Sequence, residues 1–190
     1  MTDPASVGAD ERLRLFLALR LPEPVLDAIE TWQQEHLQGV GPGLRVVRRD
    51  ELHITVAFLG HRPAGELPAV LRELRAAAAQ AQADLHLAPA RYRETRSVAM
   101  LALDDLGGGA TAFAADVQAR LERIGAYRRE GRHWLPHVTV ARFRARPGLR
   151  LEPAAMGTFV PSDAAAYLSR LRPGGAQYEV LESVDLKSAQ

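Results

Sequence analysis

The sequence predicts a mixed fold of strands and helices built from two comparable halves, and three observations carry that reading. The chain has 190 residues, 47% of them hydrophobic, which is enough to bury a proper core. Strand-like and helix-like stretches follow one another with no proline-rich or serine-rich linker between them. One short pattern occurs twice, as His53-Ile54-Thr55-Val56 and His137-Val138-Thr139-Val140, 84 residues apart. The repeat reads as an internal duplication. Two related strands set face to face across a pseudo-twofold axis would bring their imidazoles to opposite sides of one cleft.

Residues 1–12 are polar, carry Asp3, Asp10 and Glu11, and lack the apolar centre of a signal peptide. They read as a flexible tail before a single domain over 13–187. Leu13 to Leu21 is a buried strand. Pro22 suits a first helical turn, after which Val25, Leu26, Ile29, Trp32, His36 and Leu37 recur at helical spacing until Gly39, Gly41, Pro42 and Gly43. Leu44 to Arg48 and Leu52 to Leu59 read as strands around an Arg49-Asp50 turn, and Gly60 to Gly65 as a break. Leu67, Val70, Leu71, Leu74 and the alanine run to Ala83 make a helix. Leu85 to Arg93 and Ser97 to Leu103 form a strand pair, and Gly107-Gly108-Gly109 opens a helix through Phe113, Val117, Leu121 and Ile124. The remaining strands are His137 to Arg144, Phe159 to Ser169 and Tyr178 to Leu186, the last two parted by Pro173-Gly174-Gly175.

Composition removes several function classes. A formal charge of +1 gives no global field to draw in nucleic acid, so any anion site is local. Lys187 is the one lysine, so every local cationic site is an arginine site, suited to phosphate through a planar fork of donors. It also lies far from any nucleotide-binding motif, which speaks against ligation through a lysyl-adenylate. The absence of cysteine excludes disulfides and thiolate chemistry and fits a reducing cytoplasm. No apolar run reaches membrane-spanning length, and no apolar heptad seam suggests an obligate dimer, so a monomer is the expectation.

In a strand, His53 and Thr55 share one face and Ile54 and Val56 the other, and the second copy repeats this. With six His and seven Thr, chance supplies roughly 0.2 of a single His-x-Thr, so two copies each followed by Val form a motif. In-line cleavage of a phosphodiester needs a base for the attacking oxygen and an acid for the departing one, on opposite sides of phosphorus. Two imidazoles across a cleft meet that need, because only histidine lets one copy be neutral and the other protonated near neutral pH. Thr55 and Thr139 would donate hydrogen bonds to the non-bridging oxygens. The scheme requires neither metal nor cofactor. His133 and His137 have the spacing of a helical metal pair, but Pro136 opposes a helix there and no carboxylate pair completes a site. His36, His61 and His86 lack a repeated context, and the glycine triplet without a P-loop lysine is a turn.

These residues resemble the two-histidine phosphoesterases, and within them the bacterial and archaeal RNA 2′,3′-cyclic phosphodiesterases, also called 2′-5′ RNA ligases. The resemblance rests on Arg14-Leu15-Phe16-Leu17-Ala18-Leu19 with Leu21-Pro22, on Leu52 to Gly60, on Leu135 to Arg142, and on Gly174 to Leu181 as a last hairpin. It implies an α+β class: a bilobal, pseudo-twofold fold with two antiparallel sheets and flanking helices around a central cleft. It implies hydrolysis of RNA ends carrying a 2′,3′-cyclic phosphate to a 2′-phosphate, with His53 as general acid and His137 as general base. It also places Arg142 beside the phosphate and Phe58 where a ring can stack on the terminal base. Val47 departs from the aromatic residue that many relatives carry there.

Joining of RNA ends through a 2′-5′ linkage is the same reaction with a 5′-hydroxyl in place of water. Two alternatives stand beside this reading: a phosphodiesterase for another cyclic phosphate or a 2′-5′ oligonucleotide, and an RNA-end binding module without turnover. A binder has no need of two proton-transfer groups.

Overall fold

The structure, a computed structural model, describes residues 11–41, 43–81, 85–129, 131, 133–172 and 175–186. Most of the expected tail, Lys187, and Pro173-Gly174 of the last loop lie outside the described residues. Along the chain run β1 (Arg12–Leu19), α1 (Glu23–His36), β2 (Leu44–Val46), a turn of 3-10 helix (Arg49–Glu51), β3 (Ile54–Pro63) and α2 (Leu67–Gln80). There follow β4 (Leu87–Glu94), β5 (Val98–Asp105), α3 (Gly109–Arg123), β6 (His137–Phe143), β7 (Asp163–Arg172) and β8 (Gly175–Asp185).

The strands pair antiparallel in the order β4-β5-β6-β3-β1-β7-β8, with β2 against β6 beside that path. One lobe holds β2, β4, β5 and β6, and the other holds β1, β3, β7 and β8. Among the described residues their strands are joined through a single ladder pair, Ile54 opposite Val138. The α+β class holds, and that pair links the two expected sheets into one curled sheet. The lobes are not the two halves of the chain: β1 and β3 join β7 and β8 in one, while β2, from between β1 and β3, joins β4, β5 and β6 in the other.

β1 explains its own apolar run. It lies between β3 and β7, with Leu15, Leu17 and Leu19 in the main core and Phe16 and Ala18 in a smaller cluster with Ala165 and Tyr167 on the other face. The helices bury stripes of period three to four: Val25, Ile29, Trp32 and Gln33 in α1; Val70, Leu74, Ala77 and Ala78 in α2; and Ala110, Phe113, Ala114, Val117, Gln118 and Leu121 in α3. At the start of α3, Gly108 takes φ 79° and the Asp105 carboxylate accepts the N–H groups of Ala110 (3.3 Å) and Thr111 (2.7 Å). The glycine run is thus a turn, and two of the first helix donors after it are already taken by Asp105.

Several boundaries differ from expectation, β8 among them, which begins at Gly175 and not at Tyr178, and two of the differences have a local cause. β3 continues through Gly60 to Pro63, because Gly60, at φ 68°, sits in a register irregularity opposite Leu15 and Phe16 instead of ending the strand. β7 begins at Asp163. Phe159 makes only an isolated bridge to Leu87, Pro161 has no N–H to give, and the Ser162 N–H goes to the Arg20 carbonyl at 3.0 Å.

Candidate active site

The pair Ile54–Val138 joins equivalent positions of the two motifs in antiparallel register, so a local twofold axis passes through it. Both side chains are fully buried. His53 and Thr55 therefore face away from the core on one strand, and His137 and Thr139 on the other. The motifs meet across the lobe seam as the duplication predicted.

The two imidazoles are held alike. His53 Nδ1 donates to the Glu51 carbonyl at 2.7 Å, and His137 Nδ1 donates to the Leu135 carbonyl at 2.8 Å, in each case two residues upstream. A carbonyl can only accept, so each ring in its neutral form carries its proton on Nδ1 and presents Nε2 to the cleft. Thr55 Oγ1 lies 3.1 Å from His53 Nε2. Three rings surround His53: Phe16, Tyr178 and Tyr167, with centroids at 4.9, 5.4 and 5.8 Å. This apolar setting pushes the imidazole down to about 4, against the raising effect of the Glu51 carbonyl and with further lowering by the charges of Arg142 and His137. Burial likewise pushes the Tyr167 phenol up to about 12, so it keeps its proton.

Phe58 and Arg142 both lie five residues after their histidine, where simple alternation would turn them toward the core. A bulge in each strand corrects the phase. Thr55 pairs with Ala18 and Ala57 with Leu17, which leaves Val56 as an extra residue; Thr139 pairs with Met100 and Ala141 with Ala99, which leaves Val140 extra. Phe58 thus comes opposite Phe16, and Arg142 opposite Val98, on the same face as the histidines.

Each bulge is held by a buried glutamine from a helix. Gln118 of α3 donates to the Val56 carbonyl at 2.9 Å, and Gln33 of α1 donates to the carbonyls of Val140 (2.9 Å) and Val47 (3.0 Å). Sequence reasoning missed this pair. Its signal was a glutamine within the apolar stripe of each helix, four residues after Ile29 and after Ala114.

Phe58 is 46% exposed and carries the Arg14 guanidinium 4.6 Å above its ring. Beside it opens a cavity of about 620 Å³ lined by Thr55, His137, Tyr127, His133 and Trp134 among others. The Trp134 indole N–H holds the Thr55 carbonyl at 2.9 Å, tying the approach to β6 onto β3. Val47 lies in the core, where its carbonyl meets Gln33. Arg142 is exposed, and no carboxylate among the described residues pairs with it, whereas Arg146 binds Glu94 at 3.0 Å. Among the described residues no three His, Asp or Glu side chains gather as a metal site. No helix is long and apolar enough to cross a membrane among them.

Residues 21–172 match the 2′-5′ RNA ligase superfamily, a span that includes both motifs. The chain belongs to that superfamily. Two curated relatives are each named RNA 2′,3′-cyclic phosphodiesterase. The one from Thermus thermophilus is 32% identical, covering 92% of this chain and 91% of its own. The one from Methanocaldococcus jannaschii is 23% identical, covering 90% and 99%. Among solved structures of similar fold, TT0787 of Thermus thermophilus superposes with a TM-score of 0.78 at 28% identity, covering 94% of this chain and all of its own. E. coli LigT complexed with 3′-AMP superposes at 0.76 and 24% identity, with the same coverage. The curated relatives and the solved structures align over 90% or more of this chain.

Proposed function

We propose that this protein hydrolyses the 2′,3′-cyclic phosphate at RNA 3′ ends to a 2′-phosphate, without a metal, by proton transfer between His53 and His137. The observation that carries this reading is the twofold relation of the two His-x-Thr strands, each imidazole anchored through Nδ1 to the carbonyl two residues before it. The relatives named RNA 2′,3′-cyclic phosphodiesterase support the substrate class.

His137 Nε2 takes a proton from water as the water oxygen bonds to phosphorus. The bond from phosphorus to O3′ breaks in line, and His53 Nε2 delivers a proton to O3′. Thr55, Thr139 and Arg142 stabilise the charge on the non-bridging oxygens. His53 is neutral in the empty cleft, its protonated form opposed by aromatic burial and by Arg142. A phosphate anion beside it reverses the sign of the local field, so substrate binding itself charges the acid. Phe58 stacks on the terminal base. A 5′-hydroxyl in place of water gives 2′-5′ ligation by the same transfers in the same direction, and the reverse transfers cleave that linkage.

The test is incubation of the purified protein, in EDTA, with a short RNA ending in a 2′,3′-cyclic phosphate, with the product resolved by phosphorus NMR. A 2′-phosphate is expected. A 3′-phosphate would reverse the orientation assigned to the substrate, and no turnover would overturn the proposal.

A further inference from the structure

Arg45 lies directly opposite Arg142 where β2 pairs with β6. Opposite residues of an antiparallel pair share a face, so both arginines leave neighbouring strands on the face that carries His137 and Thr139. Like charges in this position destabilise a sheet. Nearby Arg49 is answered more fully, by Glu30 at 2.5 Å and Asp27 at 2.8 Å. Among the described residues Arg45 has one carboxylate, the buried Glu51, at 3.5 Å, and its side chain is 38% exposed.

Arg45 is also braced from the other lobe. The β7–β8 hairpin curls over His53, with Tyr178 edge-on to the imidazole, and its Gly175 lies against the Arg45 guanidinium. A Cβ on Gly175 would come within 2.8 Å of Arg45 Nη1 and 3.0 Å of Cζ. Its φ of 128° also favours glycine. The guanidinium is thus held between a buried carboxylate and a bare backbone, a planar fork with donors to spare. Of the two arginines, it is Arg142 whose charge acts on His53.

We propose that Arg45 binds the phosphodiester immediately upstream of the reacting phosphate, so that the Arg142–Arg45 pair reads two successive phosphates of an RNA strand. This rests on the hydrolytic reading of the cleft and makes the enzyme selective for oligonucleotide ends over mononucleotides. Glu51 ties the two functions together: its carbonyl orients His53 and its carboxylate orients Arg45.

The test reads binding without turnover, so its failure is distinct from failure of the hydrolytic reading. Affinities of a nucleoside 2′-phosphate and of a dinucleotide with the same 2′-phosphate end are measured by calorimetry on the wild type, Arg45→Met, Arg45→Lys and Gly175→Ala, with thermal melts to confirm folding. The wild type is expected to prefer the dinucleotide by about tenfold, the value of one charge-assisted contact. Arg45→Met should abolish the preference, Arg45→Lys should retain part of it, and Gly175→Ala should reduce it with no further loss in the double variant with Arg45→Met. Equal affinity of the wild type for both ligands would overturn the proposal, as would a preference that survives Arg45→Met.

Discussion

Replacing Gln118 with Met removes a donor from a buried carbonyl while keeping the length and most of the volume of the side chain. The Val56 carbonyl, held by Gln118 Nε2 at 2.9 Å, belongs to the extra residue of the β3 bulge. Leaving a buried acceptor without its donor costs about 1–3 kcal/mol, and little cavity is made, so a loss of about 2 kcal/mol is expected. Gln33→Met loses donation to two carbonyls, of which Val140 keeps the Val47 N–H at 2.9 Å, and should cost about 2–3 kcal/mol. Gln34, next along α1 and exposed, is the control, and Gln34→Ala should stay within about 0.5 kcal/mol. Urea denaturation at pH 7.5 gives these differences, and kcat/KM on a cyclic phosphate substrate is measured below the transition. Because each bulge sets the phase of its strand, both glutamine variants should lose kcat/KM out of proportion to the small unfolded fraction. A Gln118→Met protein as stable as the wild type would refute the clamp. One that is destabilised yet kinetically unchanged would refute its role in positioning Phe58 and the phosphate face.

Acid sensitivity follows from His53. Its folded value of about 4 lies below the ordinary 6.5, so the unfolded chain binds the proton first, and stability falls as pH drops from about 6.5 through 4. The full loss is about 3 kcal/mol, and the His53→Phe variant should lose that much less than the wild type over this interval; parallel curves would contradict the assignment. Phe58→Ala should raise KM for cyclic phosphate substrates about tenfold, by loss of about 1–3 kcal/mol of stacking, with kcat little changed; an unchanged KM would remove Phe58 from base recognition.

How far the sequence revealed the site depended on which interactions are local. The histidines and threonines were legible because period-two alternation within four residues decides which way they face, and the repeat signalled the pairing. The helices were legible because Val25, Ile29 and Trp32, or Phe113, Val117 and Leu121, recur at one face. The bulges at Val56 and Val140 were not, because they arise from long-range pairing with Ala18-Leu17 and Ala99-Met100 and from glutamines carried on other elements. Phe58 and Arg142 were therefore named through resemblance, while the physical reason they face the cleft came from the sheet register. The interleaving of chain ends into one lobe was equally hidden, since Phe16, Tyr167 and Tyr178 meet around His53 from distant parts of the chain. Gly60 looked like a stop because glycine ends strands as readily as it kinks them.

The central claim is that the two imidazoles are a proton-transfer pair. Its most direct measurement is kcat of His53→Ala and His137→Ala on a 2′,3′-cyclic phosphate RNA end, beside circular dichroism of each variant. Each folded variant is expected to lose about 10²–10⁴-fold in kcat, and the wild-type pH profile to be bell-shaped. Either folded variant turning over at the wild-type rate would contradict it.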